Sequence, residues 1–223
     1  MEWIYLIALL PYIFIWLYIY RKSARVYKKE MMFVSILVAI LSPITSYLYW
    51  NKDWWIPPSI LSGYPVIPED ILLGFVFGGI TAVIYEFCFH KKIKPGALPH
   101  KRSFWFLLFL LFLISAILFF SLNLNSFYSI IVSITFIGVS VAYIRKDLVK
   151  SSLLSGLLTL IMSIPFYVII HFLSTDWALV TYKYEYLSGF TVYNFPIEEF
   201  IFWFFYGLLV GPAYEFIKGW KFK

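Results

Sequence analysis

The chain has 223 residues, 62% of them hydrophobic and only 13% charged, where soluble domains carry roughly a quarter charged residues. This composition excludes an ordinary soluble domain and fits a multi-pass protein of the cell membrane. The net charge of +6 would suit a nucleic-acid binder, but the cations sit in short connections between apolar runs, as in membrane proteins, so nucleic acid is not an expected partner.

Seven apolar segments follow one another, at residues 2–20, 31–50, 69–89, 104–122, 127–144, 151–173 and 198–217. Each is near the roughly 20 residues that a helix needs to cross the hydrocarbon core. No basic region precedes the first run and no small-residue cleavage site follows it, so a retained first helix is expected. The connection after segment one holds Arg21, Lys22, Arg25, Lys28 and Lys29. After segment three come Lys91, Lys92, Lys94, Lys101 and Arg102, and after segment five Arg145, Lys146 and Lys150. With Lys218, Lys221 and Lys223 in the tail, 16 of the 18 cations fall on one side; Lys52 and Lys183 are the exceptions. The positive-inside rule then predicts an extracytoplasmic N-terminus and a cytoplasmic C-terminus.

The third and seventh segments are related. With Glu69 set on Glu198, Asp70 falls on Glu199, Gly78 on Gly207, Tyr85 on Tyr214, Glu86 on Glu215 and Phe87 on Phe216, without a gap. The correspondence extends upstream. Pro43 and Asp53-Trp54 answer to Pro165 and Asp176-Trp177, and Leu61-Ser62-Gly63 to Leu187-Ser188-Gly189. The unit is three helices, at residues 1–103 and 127–223, joined by a connector helix at 104–126. A single connecting span makes the repeats parallel, related by an axis along the membrane normal. The predicted fold is an all-α, seven-helix 3+1+3 bundle with a cavity at its pseudo-twofold axis and the acidic pairs facing each other near the outer end. The two outer loops, at 51–68 and 174–196, are rich in Trp, Tyr and Pro. They are expected to lie at the interface, where such rings are favoured, and to cap the cavity.

The acids admit two readings. Pro68-Glu69-Asp70 and Pro196-Ile197-Glu198-Glu199 look like helix starts, where Pro and negative charge suit the first turn. Acids within a span more often face the bundle interior and mark a functional path. Gly78 and Gly207 lie nine residues after Glu69 and Glu198, on the opposite helix face, so the glycine side packs while the acid side looks into a cavity. Glu86 and Glu215, about 25 Å further along the helix, are expected to pair with nearby Lys at the basic end. His171 reads as an interfacial histidine.

The scattered His and single Cys88 lack metal-ligand spacing. Neither a dinucleotide nor a nucleoside-triphosphate loop is present, so no cofactor or metal is expected. Segment seven carries no Lys for a retinal Schiff base. What remains is an apolar, aromatic chamber with carboxyls at one end. A desolvated carboxyl keeps its proton more readily and can act as a general acid. Aromatic faces can stabilise a cation.

Phe195-Pro196-Ile197-Glu198-Glu199-Phe200-Ile201-Phe202 resembles the Pro-x-Glu-Glu/Asp signature of the small integral-membrane lycopene cyclases, in their heterodimeric bacterial, fused archaeal and fungal forms. The duplicated three-helix unit resembles that family too, although Pro68 stands one place nearer its acid than Pro196 does. The resemblance implies a redox-neutral isomerase without flavin, acting on lycopene taken from the bilayer lipid. C2 of a linear end is protonated, the C5–C6 double bond closes on the C1 cation, and loss of a proton from C6 leaves a β-ionone ring. It implies Glu198 or Glu199 as proton donor, with Glu69 and Asp70 as opposing base or second donor. Phe202, Trp203 and Phe205 are implied as cation-stabilising walls. Alternatives are a cyclase making another ring isomer or acting on C50 carotenoids, and a 3+1+3 small-molecule transporter.

Overall fold

The computed structural model describes residues 1–61 and 67–222. Among them, seven helical stretches are long and apolar enough to cross a membrane, so the chain is a helical membrane protein. Helix α1 is Ile4–Lys22, and α2 is Arg25–Thr45, prolonged by a π-helical turn at Ser46–Trp50. Helix α3 spans Pro68–Phe89 and α4 spans Lys101–Ala116, the latter again extended by a π turn at Ile117–Ser121. Helices α5 (Ser126–Ile144) and α6 (Val149–Leu173) follow. After the short α7 (Trp177–Thr181) come α8 (Ile197–Val210) and α9 (Ala213–Lys218). The seventh apolar segment is thus two helices rather than one. Its ladder breaks at Gly211-Pro212, because proline has no N–H to donate and its ring crowds the preceding turn.

The chain forms two compact units. The first comprises residues 1–80 and 161–201, the second 81–160 and 202–223. This partition follows packing and is independent of the sequence repeat. In the first unit, α1, α2 and the start of α3 meet the later part of α6. Tyr12 stacks on Phe77, with ring centroids 4.8 Å apart, and meets Phe166 edge-on. Its hydroxyl donates to the Met162 carbonyl at 2.7 Å, close to where Pro165 interrupts the α6 ladder. The Trp16 indole N–H donates to Ser35 Oγ at 3.0 Å, tying α1 to α2. Such polar ties hold helices together where lipid removes the hydrophobic drive.

The two outer loops, the one before α3 and the one that contains α7, turn several of their aromatic side chains inward. Trp54, Trp55, Trp177 and Tyr182 are all buried. The two loops pair with each other, Ile56 N donating to Thr181 O at 2.7 Å and Lys183 N to Trp54 O at 2.9 Å. The Leu61-Ser62-Gly63 element lies partly outside the described residues. A two-stranded hairpin, β1 (Thr191–Val192) with β2 (Phe195–Pro196), leads into α8. Its two turn residues, Tyr193 and Asn194, both have positive φ, the geometry of a tight turn whose twist matches the strands.

In the second unit, strands at Ile93–Pro95 and Trp220–Phe222 pair antiparallel. The buried Arg145 is fully engaged. It makes a bidentate pair with Asp147 at 2.8 Å for each bond and donates to the Glu215 and Trp220 carbonyls. Glu86 and Glu215 are buried rather than snorkelling. The expected glycine packing is present in both units. A Cβ on Gly78 would stand 2.9 Å from Val38 Cβ, and one on Gly207 would meet the Ser155 carbonyl at 2.7 Å and Thr159 Oγ1 at 2.6 Å. Backbone cannot yield as a side chain does, so Gly207→Val should destabilise the protein by about 1–3 kcal/mol. Gly138→Ala, which meets only Leu208 Cδ2 at 3.1 Å, should cost far less; thermal unfolding in detergent compares the two.

Candidate active site

The four acids predicted from the sequence are buried: Glu69 and Asp70 are each 2% exposed, Glu198 1% and Glu199 5%. Solvent-facing helix caps are excluded by that burial. All four lie in the first unit, in the first turns of α3 and α8. Consecutive helical residues point about 100° apart, and each acidic pair divides accordingly.

The first acid of each pair holds the loop that precedes its helix. Glu69 Oε2 accepts from Ser59 Oγ at 2.8 Å and Glu69 Oε1 from Ile60 N at 3.1 Å. Glu198 Oε1 accepts from Ser188 N at 2.6 Å, while its Oε2 is buried without a hydrogen-bond partner among the described residues. The second acid of each pair meets side-chain hydroxyls. Asp70 accepts from Tyr5 at 3.0 Å on Oδ1 and from Ser46 at 2.7 Å on Oδ2. Glu199 Oε2 accepts from Tyr167 at 2.6 Å, and Trp54 and Tyr182 approach the same carboxyl. Ser42 Oγ donates to the Asp70 carbonyl at 2.8 Å, anchoring the start of α3 on α2.

Tyr5 links the two. Bonded to Asp70, it also lies within electrostatic reach of Glu199 and Tyr182. Its ring is edge-on to Trp55, Phe166 and Trp177, with centroids 5.8–6.0 Å away, inside the range of favourable aromatic pairs. Phe195 closes this cluster against Tyr167, Trp177 and Tyr182. Burial, and after it the charge of Glu199, pushes the Tyr182 hydroxyl well above the ordinary phenol value. The same causes push Tyr184 to about 12. These phenols are therefore proton-bearing donors at any ordinary pH. The result is a set of buried carboxyls among neutral hydroxyl donors and electron-rich ring faces, a setting suited to moving a proton beside a developing cation.

Of the predicted aromatic walls, Phe202 and Trp203 are buried in the second unit, each packed on Tyr206. Phe205 lines a separate cavity of about 190 Å³ with Gly138, Arg145 and Leu209. Sequence reading missed Tyr5, Tyr167, Tyr182, Ser46 and Ser59. The repeat held a partial signal, since Trp54 and Trp177, matched in the two halves, both turn inward, and Ser188, matched to Ser62, supplies the amide that binds Glu198. Nothing in the spacing distinguishes Tyr5 or Tyr167 from other aromatics of their helices.

Residues 125–217 match the family model described as lycopene cyclase. No curated protein and no solved structure matches the chain. The matched segment contains Tyr167, Glu198 and Glu199.

The geometry separates the adjacent glutamates by a measurement independent of activity. Glu198→Ala removes the acceptor for the Ser188 amide and should speed limited proteolysis around residues 184–193. Glu199→Gln should leave that cleavage rate at the wild-type value.

Proposed function

We propose, on the membership in the lycopene cyclase family that the match over residues 125–217 supports, that this chain is a lycopene β-cyclase converting linear ends of a bilayer-borne polyene to β-ionone rings. The observation that carries the reading is the pairing of two buried carboxyls with tyrosine hydroxyls, Asp70 with Tyr5 and Glu199 with Tyr167, around one aromatic cluster. On this reading Glu199, neutral before the reaction, delivers its proton to C2 of the linear end, held in place by the Tyr167 hydroxyl. The positive charge at C1 is relieved when the C5–C6 alkene closes on it. The ring faces around Tyr5 stabilise the cation meanwhile. Asp70, or Glu199 itself as carboxylate, removes the proton from C6. One proton enters and one leaves, no electrons are exchanged, and the product is an isomer of the substrate, so the balance needs no oxidant or reductant.

Glu198 and Glu69 then serve chiefly to hold the loops above the site, with the unpartnered Glu198 Oε2 the second place from which a proton could be supplied. Phe202, Trp203 and Phe205, which lie in the second unit, are given no part in this step. The parallel 3+1+3 repeat, with an extracytoplasmic N-terminus, accounts for the equivalent jobs of Glu69 and Glu198 and of Asp70 and Glu199. It sets the acids near the outer face of the cell membrane, opposite the basic connections.

Expression in a lycopene-accumulating bacterium, with chromatographic analysis of the pigments, tests the assignment. Wild type should yield β-carotene. Glu199→Gln should lower ring formation by about 10²–10⁴-fold, the range for loss of a general acid. Asp70→Asn should fall with it, and Glu69→Gln and Glu198→Gln should fall less. Unchanged lycopene with well-folded wild-type protein, or wild-type turnover in both Glu199→Gln and Asp70→Asn, overturns it.

A further inference from the structure

A second cavity lies within the first unit and is much larger than the space lined by Phe205. It has a volume of about 610 Å³ and is bounded by α6 on one side and the hairpin and start of α8 on the other. That volume lies within the range of about 300–1,000 Å³ typical of small-molecule sites. The α6 wall is one helical stripe, Ile164, Tyr167, Val168, His171 and Phe172, at the spacing of a single face. Ile164 and Val168 are themselves surface-exposed, so the cavity opens sideways, where a membrane helix meets lipid. Phe195 and Phe200 form the inner wall, their rings 4.8 and 5.2 Å from that of Tyr167.

Tyr167 thus has two neighbours of opposite character. Its ring lines an apolar cavity open to the bilayer, and its hydroxyl is bonded to the buried Glu199. We infer that this cavity is the lateral port through which the linear hydrocarbon end of the polyene reaches the acid, with Tyr167 as the positioning residue between them. The inference rests on the cyclase reading for the identity of the occupant. The lining argues for an acyclic isoprenoid over a sugar or an amino acid: the walls are aliphatic and aromatic, and the only polar side chains among the described lining residues are Tyr167, Tyr193 and His171, whose ring lies against that of Tyr193. A flexible chain that remains partly in lipid also needs an opening on the flank of the protein, which an aqueous solute does not.

The test uses the full-length protein in detergent with lycopene as probe. A symmetric polyene is achiral in solution and gains circular dichroism in its visible band when held in a chiral site. Wild type should induce that band. Val168→Trp and Ile164→Trp each add a ring at a surface-exposed position of the wall, where folding tolerates bulk, and either should remove the band and the turnover together. Tyr167→Phe should retain the band and KM while kcat falls by about ten- to a hundredfold, as for loss of a hydrogen bond to the carboxylate that forms when Glu199 gives up its proton. A port blocked by tryptophan that still gives full induced dichroism and turnover overturns the inference, as does Tyr167→Phe with wild-type kcat. The two readings fail separately. Cyclised product from wild type and from both tryptophan variants removes the port and leaves the cyclase. An induced band lost in the tryptophan variants, with no cyclised product from wild type, removes the cyclase and leaves the port.

Discussion

Four carboxyl groups buried in the first turns of two apolar helices set the terms for everything around them. A carboxyl taken out of water costs several kcal/mol unless donors replace the lost hydration, and an apolar bundle has few donors to spare. The protein draws them from Tyr5 on α1, Ser46 beyond α2, Tyr167 on α6 and the backbone of the two loops. Each donor belongs to a different stretch of chain, so satisfying the acids and assembling the first unit are the same event.

The loops follow from that requirement. They carry tryptophans and tyrosines that would sit comfortably at a membrane surface, yet Trp54, Trp55, Trp177 and Tyr182 are drawn inward. Ser59, Ile60 and Ser188 must stand over Glu69 and Glu198 to bind them. Residues so placed bring their aromatic neighbours over the Asp70 and Glu199 side chains. The hairpin before α8 completes the arrangement. Its positive-φ turn at Tyr193-Asn194 reverses the chain within two residues, returning Phe195 to the core immediately before the acids begin. The cost of holding a tyrosine in the left-handed region is met at the one point where the chain must turn back into the cluster.

How much of this could be read in advance depended on the kind of signal. Span number and position were legible because apolar length is a bulk property of the segment, and the packing of Gly78 and Gly207 was legible because helical phase is fixed by geometry. The acids stood out because charge within a span is costly. Their donors did not, since a tyrosine in a chain that is 23% aromatic carries no mark of its role. Tyr5 and Tyr167 are chosen by tertiary contact alone. The π turn after Ser46, which belongs to the stretch binding Asp70, has no signature either. Conversely, Phe202, Trp203 and Phe205 were conspicuous in the sequence by being aromatic beside the motif. Their rings pack on Tyr206 or line the smaller cavity of the second unit, while the rings around Asp70 and Glu199 come from distant parts of the chain.

The doubled acid follows from the same geometry. Adjacent residues in a helix cannot share a direction, so a pair in the first turn presents one carboxyl to the loop it has just left and the next to the neighbouring helices. A lone acid would have to do both: anchor the loop, which calls for fixed donors on its oxygens, and serve the interior, which calls for an oxygen free to gain or lose a proton. Splitting the tasks puts a backbone amide on each first acid, Ile60 N on Glu69 and Ser188 N on Glu198, while Asp70 and Glu199 keep hydroxyl partners whose own protons can rotate away. A tyrosine is the right partner for such an acid. It donates strongly, it stays neutral beside a negative charge, and its ring can border a cavity that water does not favour. At Tyr167 those properties meet in one side chain, with an acid on one edge and an apolar opening on the other.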